Sequence, residues 1–208
     1  MEADLQEQTT GTRQAQAARR RQQLLEAAFT LFAERGYRAT SVRDITRAAG
    51  VTEAVLYHYF GNKADLLAAV LAVYAPFAGY RRILEAADSV PVEMVLRRLS
   101  SEFLRMLHER RAFVLTLLSE ASTDAEIAAI LRRLLDDIIG SVVTFLDSRR
   151  ATGELSPAVD SRAVGEALQG GLLIHFLSQS LGGETPTADD AVIERLVSVL
   201  LTGILPRS

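Results

Sequence analysis

Residues 40–63 read TSVRDITRAAGVTEAVLYHYFGNK, and this stretch predicts two short helices joined by a tight turn. Ser41 is placed as an N-cap, and Asp44 follows three residues later, the spacing of a capping box. Gly50 permits the left-handed backbone that ends a first helix, and Thr52 can cap a second one. The pattern therefore predicts a helix-turn-helix.

The second of these helices, which we expect to reach about Phe60, is too short to bury more than one line of side chains. Leu56 and Phe60, four residues apart, are the natural pair to face inward. The other side chains then form an apolar, aromatic and hydrogen-bonding surface that suits thymine methyls, base edges and phosphate oxygens. This predicted outward surface consists of Ala54, Val55, Tyr57, His58 and Tyr59.

A third helix of this region should begin directly after Asn62. Asn62 can cap it, and Asp65 lies at its third position. Lys63, the only lysine in the chain, then lies in its first turn, where backbone N–H groups also favour a phosphate.

The stretch from Arg21 to Leu67, which includes SVRDITRAAGVTEAVLYHYFGNKADLL, resembles the TetR family of bacterial transcription regulators. The resemblance implies an all-α protein with a helix-turn-helix head that binds double-stranded operator DNA. It also implies that Arg43 reaches a base and that Lys63 meets a phosphate. Glu53 departs from the family pattern, in which a neutral or basic residue usually opens the recognition helix. The predicted DNA-binding residues are Arg43, Thr52, Ala54, Val55, Tyr57, His58, Tyr59 and Lys63.

The aromatic cluster has an alternative interpretation, because a Tyr-His-Tyr-Phe sequence in a helix is often part of a core. Tyr59 in particular could pack beneath the first helix instead of facing DNA. A metal site has little support, since His58, His108 and His175 are far apart in sequence and the chain has no cysteine. We therefore expect no metal and no cofactor.

The chain has 208 residues, of which 49% are hydrophobic, and carries a formal net charge of −3. Residues 9–63 contain nine basic and four acidic side chains, so the N-terminal region is basic and the remainder acidic. This asymmetry is typical of a phosphate-binding domain attached to an acidic one. We expect an N-terminal arm and DNA-binding domain over residues 1–63 and a helical regulatory and dimerisation domain over residues 64–208.

The sequence contains no catalytic motif, and we expect that the protein is not an enzyme. We find no G-x-S-x-G nucleophile motif, no phosphate-binding glycine loop and no convincing pair of carboxylates. Charges interrupt the apolar runs, so no membrane span is expected, and the N-terminus lacks the pattern of a secretion signal. We expect a cytoplasmic protein that does not interact with membranes.

Apolar periodicity and capping residues predict about nine helices and no strand. The first should run from about Ala17 to Arg35, and the fourth from Lys63 through a kink at Pro76. The later helices are expected over Pro91 to His108, Arg111 to Glu120, a Thr123–Glu126 capping box to Gly153, Asp160 to Leu181, and Thr187 to Ile204.

The last two predicted helices are apolar on more than one face, so they need packing partners on two sides. We interpret them as a four-helix seam between two copies of the chain, because helix-turn-helix proteins commonly bind paired half-sites as dimers. A core within one chain is the alternative. The predicted seam consists of Ala167, Gly170, Gly171, Ile174, Ile193, Leu196, Val197 and Leu200.

The resemblance also implies a ligand pocket inside the C-terminal domain, although the sequence alone indicates only a core. Since few buried charges are evident, the expected effector is hydrophobic or amphipathic. The expected function is a repressor that such an effector releases from DNA; a regulator that answers to a protein partner is the alternative. The predicted pocket residues are Tyr74, Phe77, Phe103, Met106, Phe113, Leu117, Gln169, His175 and Phe176.

Overall fold

A computed structural model describes residues 2–182 and 189–204, and all regular structure in those two ranges is α-helical. The all-α prediction is confirmed. The described residues form ten helices, one more than expected. They are α1 Glu2–Arg35, α2 Val42–Ala49, α3 Glu53–Tyr59, α4 Lys63–Tyr74, α5 Phe77–Glu85, α6 Val92–Glu109, α7 Arg111–Ala121, α8 Ala125–Ala151, α9 Ser161–Leu181 and α10 Asp189–Ile204.

The extra helix arises at Pro76, where a single kinked helix was expected. Proline has no backbone N–H and disfavours helical geometry in the preceding residue, so α4 ends at Tyr74. Pro76 instead takes the N-cap position of α5. By length and composition alone, the stretch Lys63–Glu85 is apolar enough to cross a membrane. Of its most apolar 18 residues, 39% are buried within the protein. The break divides the stretch into helices of 12 and 9 residues, each far shorter than the ~20 residues a span requires.

Among the later helices, one predicted capping residue is confirmed and another is replaced by its neighbour. Asp160 caps α9 as expected, accepting hydrogen bonds from the N–H groups of Arg162 and Ala163. At the start of α8, however, Asp124 and not Thr123 accepts from the first backbone N–H groups. The Thr123 hydroxyl donates to the Glu120 carbonyl instead. The expected start of the last helix at Thr187 lies outside the described residues.

The first helix is also longer than predicted and begins at Glu2. Its glutamine-, glutamate- and alanine-rich beginning contains no proline, so good helix formers continue the helix towards the N-terminus. At the other end, Gly36 adopts a φ of +84° and stops the helix. The buried face consists of Leu24, Leu25, Ala28, Leu31 and Phe32.

The chain divides into two compact units. The head unit comprises the chain up to Val73 together with Ala112–Leu131, and the body unit comprises Tyr74–Arg111 together with the chain from Arg132 onward. In the head unit, α1 packs against α2 and α3. In the body unit, α6 packs against α5, α9 and α10, and α9 packs against α10. The predicted division after residue 63 remains a prediction. The head unit differs from it by including nearly all of α4, most of α7 and the first turns of α8.

Candidate nucleic-acid interface

The beginning and end of α2 are fixed by local hydrogen bonds. Ser41 Oγ accepts from the Asp44 N–H at 3.1 Å, and Asp44 Oδ2 accepts from the Ser41 N–H at 3.2 Å, so the predicted capping box is present. The Ser41 hydroxyl and the Ser41 N–H both donate to the Asp44 carboxylate and hold its pKa below the usual value. At the other end Gly50 has a φ of +66°, a left-handed conformation that glycine adopts without strain.

Two buried side chains attach α3 to the head unit. Leu56 is fully buried and Phe60 is 5% exposed, as the four-residue spacing predicted. The guanidinium of Arg21 lies 5.3 Å from the centre of the Phe60 ring, so α1 covers the end of α3. With Leu56 and Phe60 inward, the opposite face of α3 points away from the head core.

That opposite face carries Ala54, Tyr57 and His58, all of which are exposed. Tyr57 is 50% exposed, a large fraction for an aromatic side chain of a folded domain. Val55 and Tyr59 are half-buried, and the Tyr59 ring lies 5.1 Å from that of His58. The structure therefore brings all five predicted residues onto one short helix, with Val55 and Tyr59 less accessible than the other three.

Two further predicted contacts flank this face. Arg43 is exposed on α2. Thr52 takes the N-cap position of α3, but its side chain makes no capping hydrogen bond, contrary to expectation. Its exposed hydroxyl is consequently not committed to the helix end and can turn towards an external acceptor. Glu53, also exposed, is the only carboxylate of α3.

Lys63 has partners within the head unit that the sequence did not indicate. Its Nζ donates to the carbonyl oxygens of Tyr37 at 2.7 Å and Thr40 at 2.9 Å. The ammonium also lies 4.1 Å from the centre of the Tyr37 ring. Burial lowers the pKa of Lys63. An ammonium has three N–H donors, so at most one remains for the predicted phosphate contact, which stays a prediction.

The predicted pocket residues are distributed over both units. Phe113 and Leu117 are buried in the head unit, where the Phe113 ring meets the Phe29 ring of α1 at 5.1 Å. In the body unit Phe103 and Met106 of α6 and Phe176 of α9 are buried, whereas Tyr74, Phe77 and His175 are half-buried.

Gln169 of α9 is 5% exposed and has a partner that sequence reasoning missed. Its Nε2 donates to Tyr80 Oη of α5 at 2.9 Å. Its Oε1 is buried and, among the described residues, has no hydrogen-bond partner. Burial raises the pKa of the Tyr80 hydroxyl, which therefore stays protonated. No signal in the sequence joined these two side chains, since they are 89 residues apart.

His175 belongs to a polar cluster in the body unit. Its Nε2 lies 3.0 Å from one carboxylate oxygen of Asp189, and His108 Nε2 lies 3.2 Å from the other. Gln179 Nε2 lies 2.8 Å from His175 Nε2. One carboxylate thus joins α6, α9 and α10, a role that leaves His175 less free to orient a ligand than the sequence suggested.

The predicted seam residues fall into two groups. Ala167, Gly170 and Ile174 are exposed, and Gly171, Leu196 and Leu200 are half-buried, all on the surface of α9 and α10. Ile193 and Val197 are buried within the chain, so their side chains belong to the core of the body unit and cannot face a second copy. Leu181 and Val199, which were not among the predicted seam residues, are 86% and 72% exposed.

Known proteins resemble both parts of the chain. The chain is 37% identical over 103 residues to the HTH-type transcriptional repressor KstR2 of Mycolicibacterium smegmatis, a match that covers 49% of this chain and 50% of KstR2. The chain spans about half the length of the KstR2 relatives that it matches.

Two solved structures share the fold over most of the chain. The flavonoid-responsive regulator FrrA superposes with a TM-score of 0.67 at 26% identity, covering 92% of this chain and all of the other. The regulator FadR of Bacillus subtilis, in complex with stearoyl-CoA, gives a TM-score of 0.71 at 20% identity and covers 88% of this chain and 98% of FadR.

Two family profiles together match most of the chain. The profile of bacterial regulatory proteins of the tetR family matches residues 24–70, which contain α2, α3 and their capping residues. The profile of the tetracyclin repressor-like C-terminal domain matches residues 86–200, more than half of the chain. The chain belongs to the TetR family of bacterial regulatory proteins.

Proposed function

We propose that this chain is a DNA-binding transcriptional repressor that acts as a homodimer in the cytoplasm and leaves its operator when a small apolar or amphipathic effector binds. Effector binding favours a body conformation that moves the recognition helices away from the ~34–36 Å spacing of adjacent major grooves. The resemblance to KstR2, which is named as a repressor, supports the direction of regulation.

The observation that carries the proposal is the outward face of α3. A helix of seven residues fits a major groove, and two inward anchors, Leu56 and Phe60, leave its other side free. The exposed Tyr57 and His58 supply hydrogen-bonding groups, and Ala54 supplies a methyl that can contact thymine. We assign DNA contacts to these three residues, together with Arg43, Thr52, Val55, Tyr59 and Lys63.

Charge supports the same assignment. Arg19, Arg20 and Arg21 are exposed on α1, and Arg43 and Arg47 are exposed on α2. Such a concentration of guanidinium groups attracts a polyanion through long-range electrostatics even though the whole chain is acidic. The affinity for DNA of any sequence should accordingly fall as salt is added.

Assembly as a dimer is supported by exposed apolar side chains on α9 and α10. Ile174, Leu181 and Val199 are 63%, 86% and 72% exposed, which is unusual for large aliphatic residues of one chain. Gly170 has open space where a Cβ would lie, so a second helix can approach it closely. We propose that these residues, with Ala167, Leu196 and Leu200, face a second copy of the chain.

An effector site in the body unit is supported by Gln169. A buried amide oxygen without a hydrogen bond is unfavourable by about 1–3 kcal/mol, so a donor from a bound molecule would stabilise it. The likeness to FrrA, which is described as flavonoid-responsive, supports an aromatic or amphipathic molecule with hydroxyl groups. We propose Gln169 as the group that orients the effector among the apolar side chains of the body.

The proposal is tested by comparing the wild-type protein with Tyr57→Ala on DNA duplexes selected by the wild type from a random pool. Val73→Ala is the matched control, because Val73 is 45% exposed in the same unit but lies on α4. Tyr57→Ala should weaken binding to the selected duplex at least about tenfold, a loss of ~1.4 kcal/mol, and Val73→Ala should leave it unchanged. Equal binding by all three proteins would contradict the assignment of α3.

A further inference from the structure

Tyr37, in the turn between α1 and α2, has every polar atom engaged within the head unit. Its N–H donates to Glu120 Oε2 at 2.8 Å, and its hydroxyl donates to Glu126 Oε2 at 3.2 Å. Its carbonyl oxygen accepts from Lys63 Nζ at 2.7 Å. Three hydrogen bonds of Tyr37 therefore join the α1–α2 connection to the C-terminal end of α7 and to the N-terminal ends of α8 and α4.

Glu120 makes a second bond to the same turn. Its Oε1 accepts from the N–H of Arg38 at 3.0 Å, so the two carboxylate oxygens bind two consecutive backbone N–H groups. Hydrogen bonds to an ionised carboxylate are stronger than those between neutral groups, and two of them fix the orientation as well as the distance. We call these two bonds the Glu120 latch.

The Glu120 carboxylate lies close to Gly36, at the place where another residue would have its Cβ. A Cβ at this position would lie 2.7 Å from Glu120 Oε1, closer than real Cβ contacts allow. The φ of Gly36 is +84°, which disfavours any other residue for a separate reason. The positive φ is what favours glycine at position 36, and the short distance shows how closely the Glu120 carboxylate approaches the turn.

The charges of the groups that surround Tyr37 are consistent with this arrangement. Burial lowers the pKa of Lys63, and the negative charges of Glu120, Glu126 and Asp124 oppose that effect. Removal of the Glu120 carboxylate would therefore break the latch, whereas removal of the Glu126 carboxylate would only reduce the negative charge near the ammonium.

The Glu120 latch holds the turn that leads directly into α2. The turn that it holds ends at Ser41, which is the N-cap of α2, and α2 packs against α3. We propose that Glu120 is a positioning residue for DNA reading: from α7 it holds the α1–α2 turn, and through that turn it sets the orientation of the recognition helix. This inference rests on the proposed function as a DNA-binding protein.

The latch also offers a route for regulation. Helix α7 begins at Arg111, the last residue of the Tyr74–Arg111 segment of the body unit. A displacement of α7 along its axis would move the Glu120 carboxylate relative to the α1–α2 turn. If formation of the two Glu120 hydrogen bonds favours the DNA-binding conformation, then by linkage DNA binding must favour formation of these bonds to the same extent. Operator DNA should consequently slow the exchange of the Tyr37 and Arg38 amide protons.

The test compares Glu120→Gln with Glu126→Gln in the full chain. Both remove one negative charge near Lys63. Glutamine at 126 keeps an oxygen that accepts from the Tyr37 hydroxyl, whereas glutamine at 120 has one acceptor oxygen for two N–H groups and presents an NH₂ to the other. Charge and position are thus matched, and only the hydrogen bonding of the turn differs.

We expect Glu120→Gln to weaken binding to a duplex selected by the wild-type protein about tenfold, the scale of one charge-assisted hydrogen bond. Affinity for a random duplex should stay within about twofold, because phosphate contacts carry no sequence information and the substitution leaves the exposed arginines of α1 in place. Exchange of the Tyr37 and Arg38 amides should accelerate. Glu126→Gln should resemble the wild type in all three measurements.

The positioning role would be overturned if Glu120→Gln lost the same affinity for selected and random duplexes, and if that loss matched the decrease in the fraction of folded protein. So would unchanged binding by Glu120→Gln. Should that variant not fold, amide exchange of the wild type with and without the duplex decides: no slowing at Tyr37 and Arg38 overturns the inference. Failure of the wild type to select any duplex would instead overturn the proposed function itself, so the two failures are distinguishable.

Discussion

Gly171 of α9 faces Leu196 of α10 in the same chain, and a Cβ at position 171 would lie 3.1 Å from Leu196 Cδ2. The neighbouring Gly170 has no atom within 4 Å of where its Cβ would be. The first glycine therefore permits α9 and α10 to pack closely within one subunit, and the second lies on an open surface. From the sequence both were expected to face a second copy.

Replacing each glycine by leucine should therefore have a different effect, one on dimer formation and the other on the stability of the subunit. Gly170→Leu should disrupt dimers at micromolar concentration while the melting temperature of the subunit is largely kept, since the leucine protrudes into the proposed seam. Gly171→Leu should lower the melting temperature by several degrees, because overpacking between α9 and α10 costs about 1–3 kcal/mol. Sedimentation and thermal melts measure the two effects. A Gly170→Leu protein that remains fully dimeric would move the seam away from α9.

Arg43 should read one base pair. Arg43→Ala is expected to cost about 1–3 kcal/mol of operator affinity and to relax the preference at a single position, the effect of losing a bidentate contact to guanine. Arg43→Lys is the control that keeps the charge but not the planar fork. It should lose the preference while retaining the dependence on salt. The assignment is wrong if either variant loses the same affinity for operator and for random DNA.

Lys63 should affect both DNA binding and stability. Lys63→Met removes the ammonium but keeps most of the aliphatic stem, so the hydrogen bonds to the carbonyls of Tyr37 and Thr40 are lost. The melting temperature should fall, and binding to all sequences should weaken alike with a salt slope smaller by about one unit. A lower melting temperature with an unchanged salt slope would mean that Lys63 only holds the turn and touches no phosphate.

Gln169 should orient the effector. The double variant Tyr80→Phe with Gln169→Leu removes both members of a buried hydrogen-bonded pair, and such a replacement is close to neutral for stability. A panel of flavonoids and long-chain acyl compounds should contain a molecule that raises the melting temperature of the wild type and releases the selected DNA. The double variant should respond less to that molecule. Equal responses would remove Gln169 from the site, and no response from any compound would favour the protein-partner alternative.

The sequence predicted features that depend on neighbouring residues. The capping box of Ser41 and Asp44, the stop at Gly50 and the inward pair of Leu56 and Phe60 are all confirmed. Each is determined within one or two helical turns, where spacing alone decides which groups meet.

Features that depend on distant parts of the chain were missed. Tyr37 and Glu120 are 83 residues apart, and only the packing of α7 beside the α1–α2 turn brings them together. The choice between Thr123 and Asp124 as the cap of α8 depends on a one-residue difference between two good capping residues. Likewise, Gly170 and Gly171 differ only in the side of α9 on which they lie, and the sequence contains no marker of that rotation.

The most direct test of the central claim is selection of duplexes from a random DNA pool by the purified wild-type protein, followed by sequencing. A dimer with one recognition helix per subunit should enrich an inverted repeat whose half-sites are centred about one helical turn apart, 10–10.5 base pairs, or a small multiple of it. Tyr57→Ala should lose that enrichment while keeping salt-dependent binding to bulk DNA. Enrichment of no sequence, or of the same sequence by both proteins, would contradict DNA reading by α3.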